Sequence, residues 1–203
     1  ERIRKLADQI NISFGVDSVY HIEEIDEVFD GAEKKAQVMI EIEVGEERSG
    51  IIEELDYKLL LNSIRASKNV ELKGIFSHDG HTYKAVDKDD CYDLFMTATT
   101  RTLHFANVAR DMDFEVSKVS IGSTPPFMFG FDIPEGVTEI RPGTYILMDG
   151  SQSNAIDSYA HSAASVLTTI ISKPTDERVI SDVGAKGLTA QSRSKGLTAT
   201  EGF

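Results

Sequence analysis

Three apolar, β-branched runs, AQVMIEIEVG at 36–45, NVELKGIFS at 69–77 and FEVSKVSIG at 114–122, are separated by two stretches whose apolar residues recur at helical spacing. This order constrains the fold more than anything else in the chain. Parallel strands need a long crossover rather than a tight turn, so a regular strand and helix alternation leads to a doubly wound sheet or to a (β/α)8 barrel. The predicted buried stripe of the first crossover is Ile52, Leu55, Leu59 and Ile64, and that of the second is Tyr92, Phe95, Met96, Thr99, Leu103 and Ala106. Ahead of these, Ile3, Leu6, Ala7 and Ile10 predict a helix, ISFGVDSVY a short strand and HIEEIDEVFDGAEK an acidic helix. The helical pattern starts with no Met or polar lead, and Glu1 reads as an internal residue of something longer.

After Gly122 the rhythm changes. STPPFMFGFDIPEG has no helical period and reads as loop, and TEIRPGTYILMD reads as one more strand. From Ala163, SVLTTIISKP and DERVISDVG are two β-rich segments, one ending at a proline and the other at a glycine. We therefore expect residues 1–162 to be part of the α/β unit and residues 163–203 to begin a β-rich domain. AKGLTA is echoed by SKGLTA near the end, but two short copies do not make a repeat architecture.

Charge narrows the function. Lys and Arg total 21 against 34 Asp and Glu, a formal charge of −13, which argues against nucleic acid and anionic membranes as partners. Thirteen acidic residues stand between Glu23 and Asp56 against Lys34, Lys35 and Arg48, and we read this run as solvated helix faces. No stretch approaches the ~20 apolar residues of a membrane span. The single cysteine, Cys91, permits no internal disulfide and fits a reducing compartment. These features predict a cytoplasmic protein.

In a parallel α/β fold, ligand-facing groups lie just after the strands. Four polar clusters stand there: GEERSG, SHDGHTY, GSTPP and RPGTY. GSTPP offers a glycine, two hydroxyls and backbone N–H groups, the materials of a phosphate cradle or equally of a proline-braced turn. RPGTY has the same ambiguity: Arg141 suits a salt bridge, Pro142-Gly143 a bend in a strand, and Tyr145 a core position. His78 and His81 of SHDGHTY have zinc-like spacing but no third ligand, so a hydrogen-bonded loop and an aromatic-cofactor contact stay open beside a metal site. Arg48, flanked by Gly45 and Gly50, is either a cation for a phenolate or carboxylate or an ordinary surface arginine.

Taken in order, QVMIEIEVGEERSGI, LKGIFSHDGHTY, VSIGSTPPF and EIRPGTYILMD, with RVISDVGAKGLT as a weaker fifth, the chain resembles the pyridoxal phosphate enzymes of the alanine racemase-type barrel. The similarity is to the D-threonine aldolase and D-serine dehydratase branch. It implies an α/β fold, an incomplete (β/α)8 TIM-type barrel leading into a β-rich C-terminal domain, because such barrels typically need ~250 residues. It also implies a lyase acting on small D-amino acids, with pyridoxal 5′-phosphate and a divalent metal (Mn, Mg or Zn) in the intact parent, in a homodimer. The family's Schiff-base lysine belongs to a motif expected upstream of Glu1 and its metal ligands to a segment expected beyond Phe203, so the chain as given is expected to be inactive. By resemblance, Arg48 lies near the cofactor's phenolic oxygen and His78 beside its pyridine ring. Tyr83 and Arg141 compete for the ring nitrogen. Gly122, Ser123 and Thr124, with Gly143, Thr144 and Tyr145, form the phosphate cradle. The same barrel also serves amino-acid racemases and non-catalytic pyridoxal phosphate homeostasis proteins, and the β-rich residues after Ala163 favour the lyase.

Overall fold

The computed structural model describes residues 1–184 and 186–188, and in it the alternation becomes five parallel strands. They are β1 (Ser13–Val16), β2 (Ala36–Ile42), β3 (Val70–Ser77), β4 (Lys118–Ile121) and β5 (Glu139–Ile140). The helices are α1 (Arg2–Ala7), α2 (Val19–Val28), α3 (Glu54–Ala66), α4 (Lys88–Asp111), the single turn α5 (Pro125–Met128) and α6 (Gly150–Ala155). Strand order in the sheet is the order in the sequence, β1-β2-β3-β4-β5, and every pairing is parallel. A doubly wound sheet reverses its strand order midway. The sequential order is the winding of a TIM-type barrel, which settles the choice the sequence left open.

Local chemistry sets the helix starts. The His21 N–H donates to Ser18 Oγ at the head of α2, the Asp90 N–H to Asp87 Oδ1 at α4, and the Gln152 N–H to Asp149 Oδ1 at α6, each satisfying a donor that the first turn leaves orphaned. Pro125 starts α5, a turn of helix inside the segment expected to be all loop.

One core forms between the outer face of the sheet and the helices. Val38, Ile40 and Ile42 of β2 alternate inward to it and pack with Ile22 of α2, Leu60, Leu61 and Ile64 of α3, and Phe105 of α4. The sheet's other face carries Gly15 paired with Met39, and Phe76 paired with Glu41 and Ser120. The buried side of α3 is Tyr57, Leu60, Leu61 and Ile64, whereas Ile52, Leu55 and Leu59 are exposed, so only Ile64 of the expected stripe faces the core. Both stripes have helical period, and only packing against β2 and β3 selects between them. In α4, Phe95, Thr99 and Ala106 are buried as expected but Tyr92 is exposed, a rotation that turns Cys91, Ala98, Thr102 and Phe105 inward.

Tyr57 is fully buried, edge-on to Phe105 with ring centroids 4.9 Å apart, and its hydroxyl has no partner among the described residues. Burial holds its pKa above the ordinary phenol value. An unpaired buried hydroxyl carries a desolvation cost that phenylalanine lacks. Tyr57→Phe should therefore stabilise the protein by about 1 kcal/mol, seen as a higher urea midpoint. A lower midpoint would mean that the hydroxyl has a hydrogen-bond partner.

β5 is only two residues long, not the full run TEIRPGTYILMD. The Arg141 N–H still donates to Ile121 O at 2.9 Å, but Pro142 has no N–H to continue the ladder. The two β-rich segments form an exposed antiparallel hairpin, β6 (Ile170–Thr175) and β7 (Arg178–Ser181), separate from the main sheet. The AKGLTA and SKGLTA echo falls almost wholly outside the described residues. No helix among the described residues is long and apolar enough to cross a membrane.

Candidate functional site

Parallel strands deliver their following loops to one end of the sheet, so GEERSG after β2, SHDGHTY after β3, GSTPP after β4 and RPGTY after β5 meet there. A cavity of ≈ 490 Å³ opens between them, lined by His78, Tyr83, Ser123, Arg141, Gly143 and Thr144, with Ile146, Leu147 and Asp149 along its side. Six of the ten residues singled out from the sequence share this one space. Thr124 and Tyr145 line an adjoining cavity of ≈ 440 Å³. Arg48 and Gly122 line neither: Arg48 is a rim residue beside Glu41 and Glu46, and Gly122 sits against the backbone of residue 141, where a Cβ would come within 3.0 Å of Arg141 O.

Arg141 crosses beneath the cavity. Its Nε donates to Ser120 Oγ at 2.8 Å, its Nη2 donates to the carbonyl of Ser77, and its guanidinium lies 5.3 Å from the ring centre of Phe76. It ties β3, β4 and β5 together and places a cation at the site. Its pKa is lowered, chiefly by burial, against the raising effect of Asp79, Glu41 and Glu139; arginine still keeps its charge at any physiological pH.

Thr124 is fully buried, and its Oγ1 accepts from the Gly143 N–H at 3.0 Å and the Thr144 N–H at 3.1 Å. One hydroxyl thus pins the turn after β5 to the turn after β4. Ser123 Oγ lies 3.0 Å from Thr82 Oγ1, which itself donates to Asp79 O at 2.8 Å, and Tyr83 Oη lies 3.3 Å from Thr144 Oγ1. Hydroxyls of the three loops thus make a layer of two pairs, Ser123 with Thr82 and Tyr83 with Thr144.

Two groups that the sequence reading passed over stand beside this layer. Glu46, within the acidic run read as solvated surface, accepts from His78 Nδ1 at 2.7 Å and lies 3.6 Å from Arg48 Nη1. The run is less idle than expected elsewhere too: Asp26 accepts from Ser67 Oγ and the Asn69 N–H, and Glu43 from the N–H groups of Gly45 and Glu47. The second group is Asp79, which is buried with its Oδ1 unpartnered among the described residues, as is Nδ1 of nearby His81.

Burial pushes the Asp79 pKa above the ordinary carboxyl value, outweighing hydrogen bonds from its own backbone and Ser123 and the charges of His78 and His81. The folded protein therefore binds this proton more tightly than the unfolded chain, and stability falls as pH rises above 3.8 through the folded value. Asp79→Asn removes the charge at constant shape. It should raise Tm at pH 7 and lose that advantage near pH 3; an equal shift at both would show that ionisation of Asp79 is not the cause. Burial, aided by Asp79 and Asp90, also pushes the Cys91 thiol up to about 12, so Cys91 is a core residue and not a nucleophile.

The donor set suits a small aromatic anion. A guanidinium, an imidazole, a phenol and two hydroxyls converge on a cavity of small-molecule size, and the space around Gly143 is open, with nothing within 4 Å of where a Cβ would stand. No group of three or more His, Cys, Asp or Glu side chains among the described residues comes together as a metal site.

The chain is 26% identical over 191 residues to a D-threonine aldolase of Arthrobacter, matching 92% of this chain and 50% of the relative. It is 27% identical over 200 residues to a D-serine dehydratase of Dictyostelium discoideum, matching 90% and 49%. Among solved structures, D-threo-3-hydroxyaspartate dehydratase from Delftia superposes with a TM-score of 0.79 at 25% identity, covering 98% of this chain and 53% of that one; a mutant of it in the metal-free form gives 0.77 at 26%, covering 94% and 51%. The chain thus spans about half the length of the relatives it matches. Residues 1–150 match the alanine racemase N-terminal domain, and it is to this barrel family that the chain belongs.

Proposed function

We propose that the intact protein is a pyridoxal phosphate-dependent lyase acting on D-amino acids that carry a hydroxyl on Cβ. The observation that carries this reading is what the names of the three relatives have in common: threonine, serine and hydroxyaspartate all pair an amino group at Cα with a hydroxyl at Cβ. The ≈ 490 Å³ cavity, with its cation, its imidazole and phenol rings and its hydroxyls, supports the assignment of the cofactor site to the strand ends. The hairpin after the barrel segment supports a lyase with a β-rich domain from residue 163 over a single-barrel cofactor-holding protein.

Bound there, pyridoxal phosphate supplies an electron sink for the bond broken at Cα. Ser123, Thr144 and the turn held by Thr124, with Gly122, Gly143 and Tyr145, would receive its phosphate; His78 would lie along the ring and Arg48 near the phenolic oxygen. Tyr83 and Arg141 both line the cavity, and we take Tyr83 as the residue near the ring nitrogen, with Arg141 as its competitor for that role. Tyr83→Phe should lower turnover about tenfold, the worth of one hydrogen bond of roughly 1.4 kcal/mol, while cofactor affinity changes less. An unaltered rate would move the role to Arg141. A divalent metal on the substrate hydroxyl and a homodimer complete the proposal.

The deciding assay incubates the intact protein with pyridoxal phosphate, a divalent cation and D-threonine or D-serine. Glycine with acetaldehyde marks an aldolase, and pyruvate with ammonia a dehydratase. Turnover of neither would sink the lyase reading.

A further inference from the structure

We infer that Glu46 is a positioning residue that fixes the tautomer of His78 and so decides what the imidazole offers to the cavity. The inference deepens the cofactor reading above and rests on it for the meaning of the site, though not for the hydrogen bond itself. Glu46 Oε2 lies 2.7 Å from His78 Nδ1, a short contact of the charge-assisted kind. A carboxylate has no hydrogen to give, so Nδ1 must carry it. In the neutral ring Nε2 is then bare. Nε2 has no hydrogen-bond partner among the described residues, and the side chain is 28% exposed at the cavity wall. His78 therefore presents a lone pair to the ligand: it accepts a hydrogen from a donor and repels an oxyanion, the opposite of an Nε2–H imidazole.

Arg48 and Gly80 hold Glu46 in this role. Arg48 lies 3.6 Å from the same oxygen, and its other nitrogen lies 3.7 Å from Glu41, anchoring the carboxylate on its far side. Gly80 leaves the room: a Cβ at that position would stand 2.1 Å from Glu46 Oε1 and 2.8 Å from His78 Cε1. A side chain at 80 would push the carboxylate away from the ring. Glu46 thus reaches from the loop after β2 to the loop after β3 only because residue 80 has no side chain.

The test reads the tautomer directly in the intact protein. With ¹⁵N-labelled histidine at neutral pH, long-range ¹H–¹⁵N correlation separates Nδ1–H from Nε2–H rings, and His78→Asn identifies the His78 signals by their loss. We expect wild-type His78 to be wholly Nδ1–H. Glu46→Gln, whose amide oxygen still accepts, keeps that form. Glu46→Ala and Gly80→Ala both convert His78 mainly to Nε2–H while the other histidine signals stay in place. An Nε2–H ring in the wild type, or an Nδ1–H ring that survives Glu46→Ala, overturns the inference. Because the readout needs no cofactor, it is separable from the cofactor reading. A wild type that fails to take up pyridoxal phosphate would defeat that reading while the tautomer result stands, and normal uptake with an unchanged tautomer in Glu46→Ala would defeat only the role of Glu46.

Discussion

Replacing Ser123 and Thr124 together by alanine should weaken retention of pyridoxal phosphate by roughly 10- to 100-fold, at about 1.4 kcal/mol per tenfold. Thr124 Oγ1 accepts from two backbone N–H groups, those of Gly143 and Thr144, which have no other acceptor among the described residues. With it gone, the turn after β5 loses its tie to β4, and each orphaned donor costs about 1 kcal/mol or more. The loosened turn must then be reordered whenever a ligand binds, and that ordering is subtracted from affinity. Ser123 lines the cavity beside Tyr83 and Thr144, and its loss removes a second tie between the loops, to Thr82 Oγ1. Fluorescence or absorbance titration measures the effect, and unchanged affinity would remove the phosphate-cradle assignment.

Gly74→Ala should be the most damaging single methyl in the barrel segment. Gly74 pairs with Met39 on one side and Lys118 on the other, at the point where the β2–β3 register shifts. An added Cβ would lie 2.1 Å from Lys118 O and 2.7 Å from Lys118 Cβ. The obstacle is the backbone of the neighbouring strand, which cannot swing aside as the carboxylate facing Gly80 can. We expect a loss of about 3 kcal/mol, the upper end of overpacking costs, read as a drop in the urea midpoint. Activity should fall with it, because prising β4 from β3 separates Ser120 and Ser123 from Ser77 and Thr82. A midpoint within experimental error of wild type would show that β4 yields without cost.

The strand and helix alternation was legible because each buried strand is a β-branched run bounded by glycine or polar turns. The place of the site was legible for the same reason, since parallel strands send every following loop to one end. What the linear pattern lacked was phase. Ile52, Leu55 and Leu59 have as good a period as Tyr57, Leu60, Leu61 and Ile64, yet the first set lies in the open beside a shallow groove with Asp17 and Asp56. Nothing local distinguishes them; the sheet does. Long-range partners were equally hidden. Glu46 sits in a run of carboxylates that charge counting assigns to solvent, and its partner His78 is 32 residues away. Thr124, read from the sequence as part of the phosphate cradle, also accepts from the backbone N–H groups of Gly143 and Thr144, a partnership that no local pattern announces.

The central claim is that the strand-end cavity takes up pyridoxal phosphate. Titrating the intact, histidine-labelled protein with pyridoxal phosphate tests it most directly, because one experiment reports both saturation and place. The account predicts saturable binding in which the His78 ring signals move while those of His104, on the exposed side of α4 against Glu54, stay fixed. No saturation, or saturation with His78 unmoved, would contradict it.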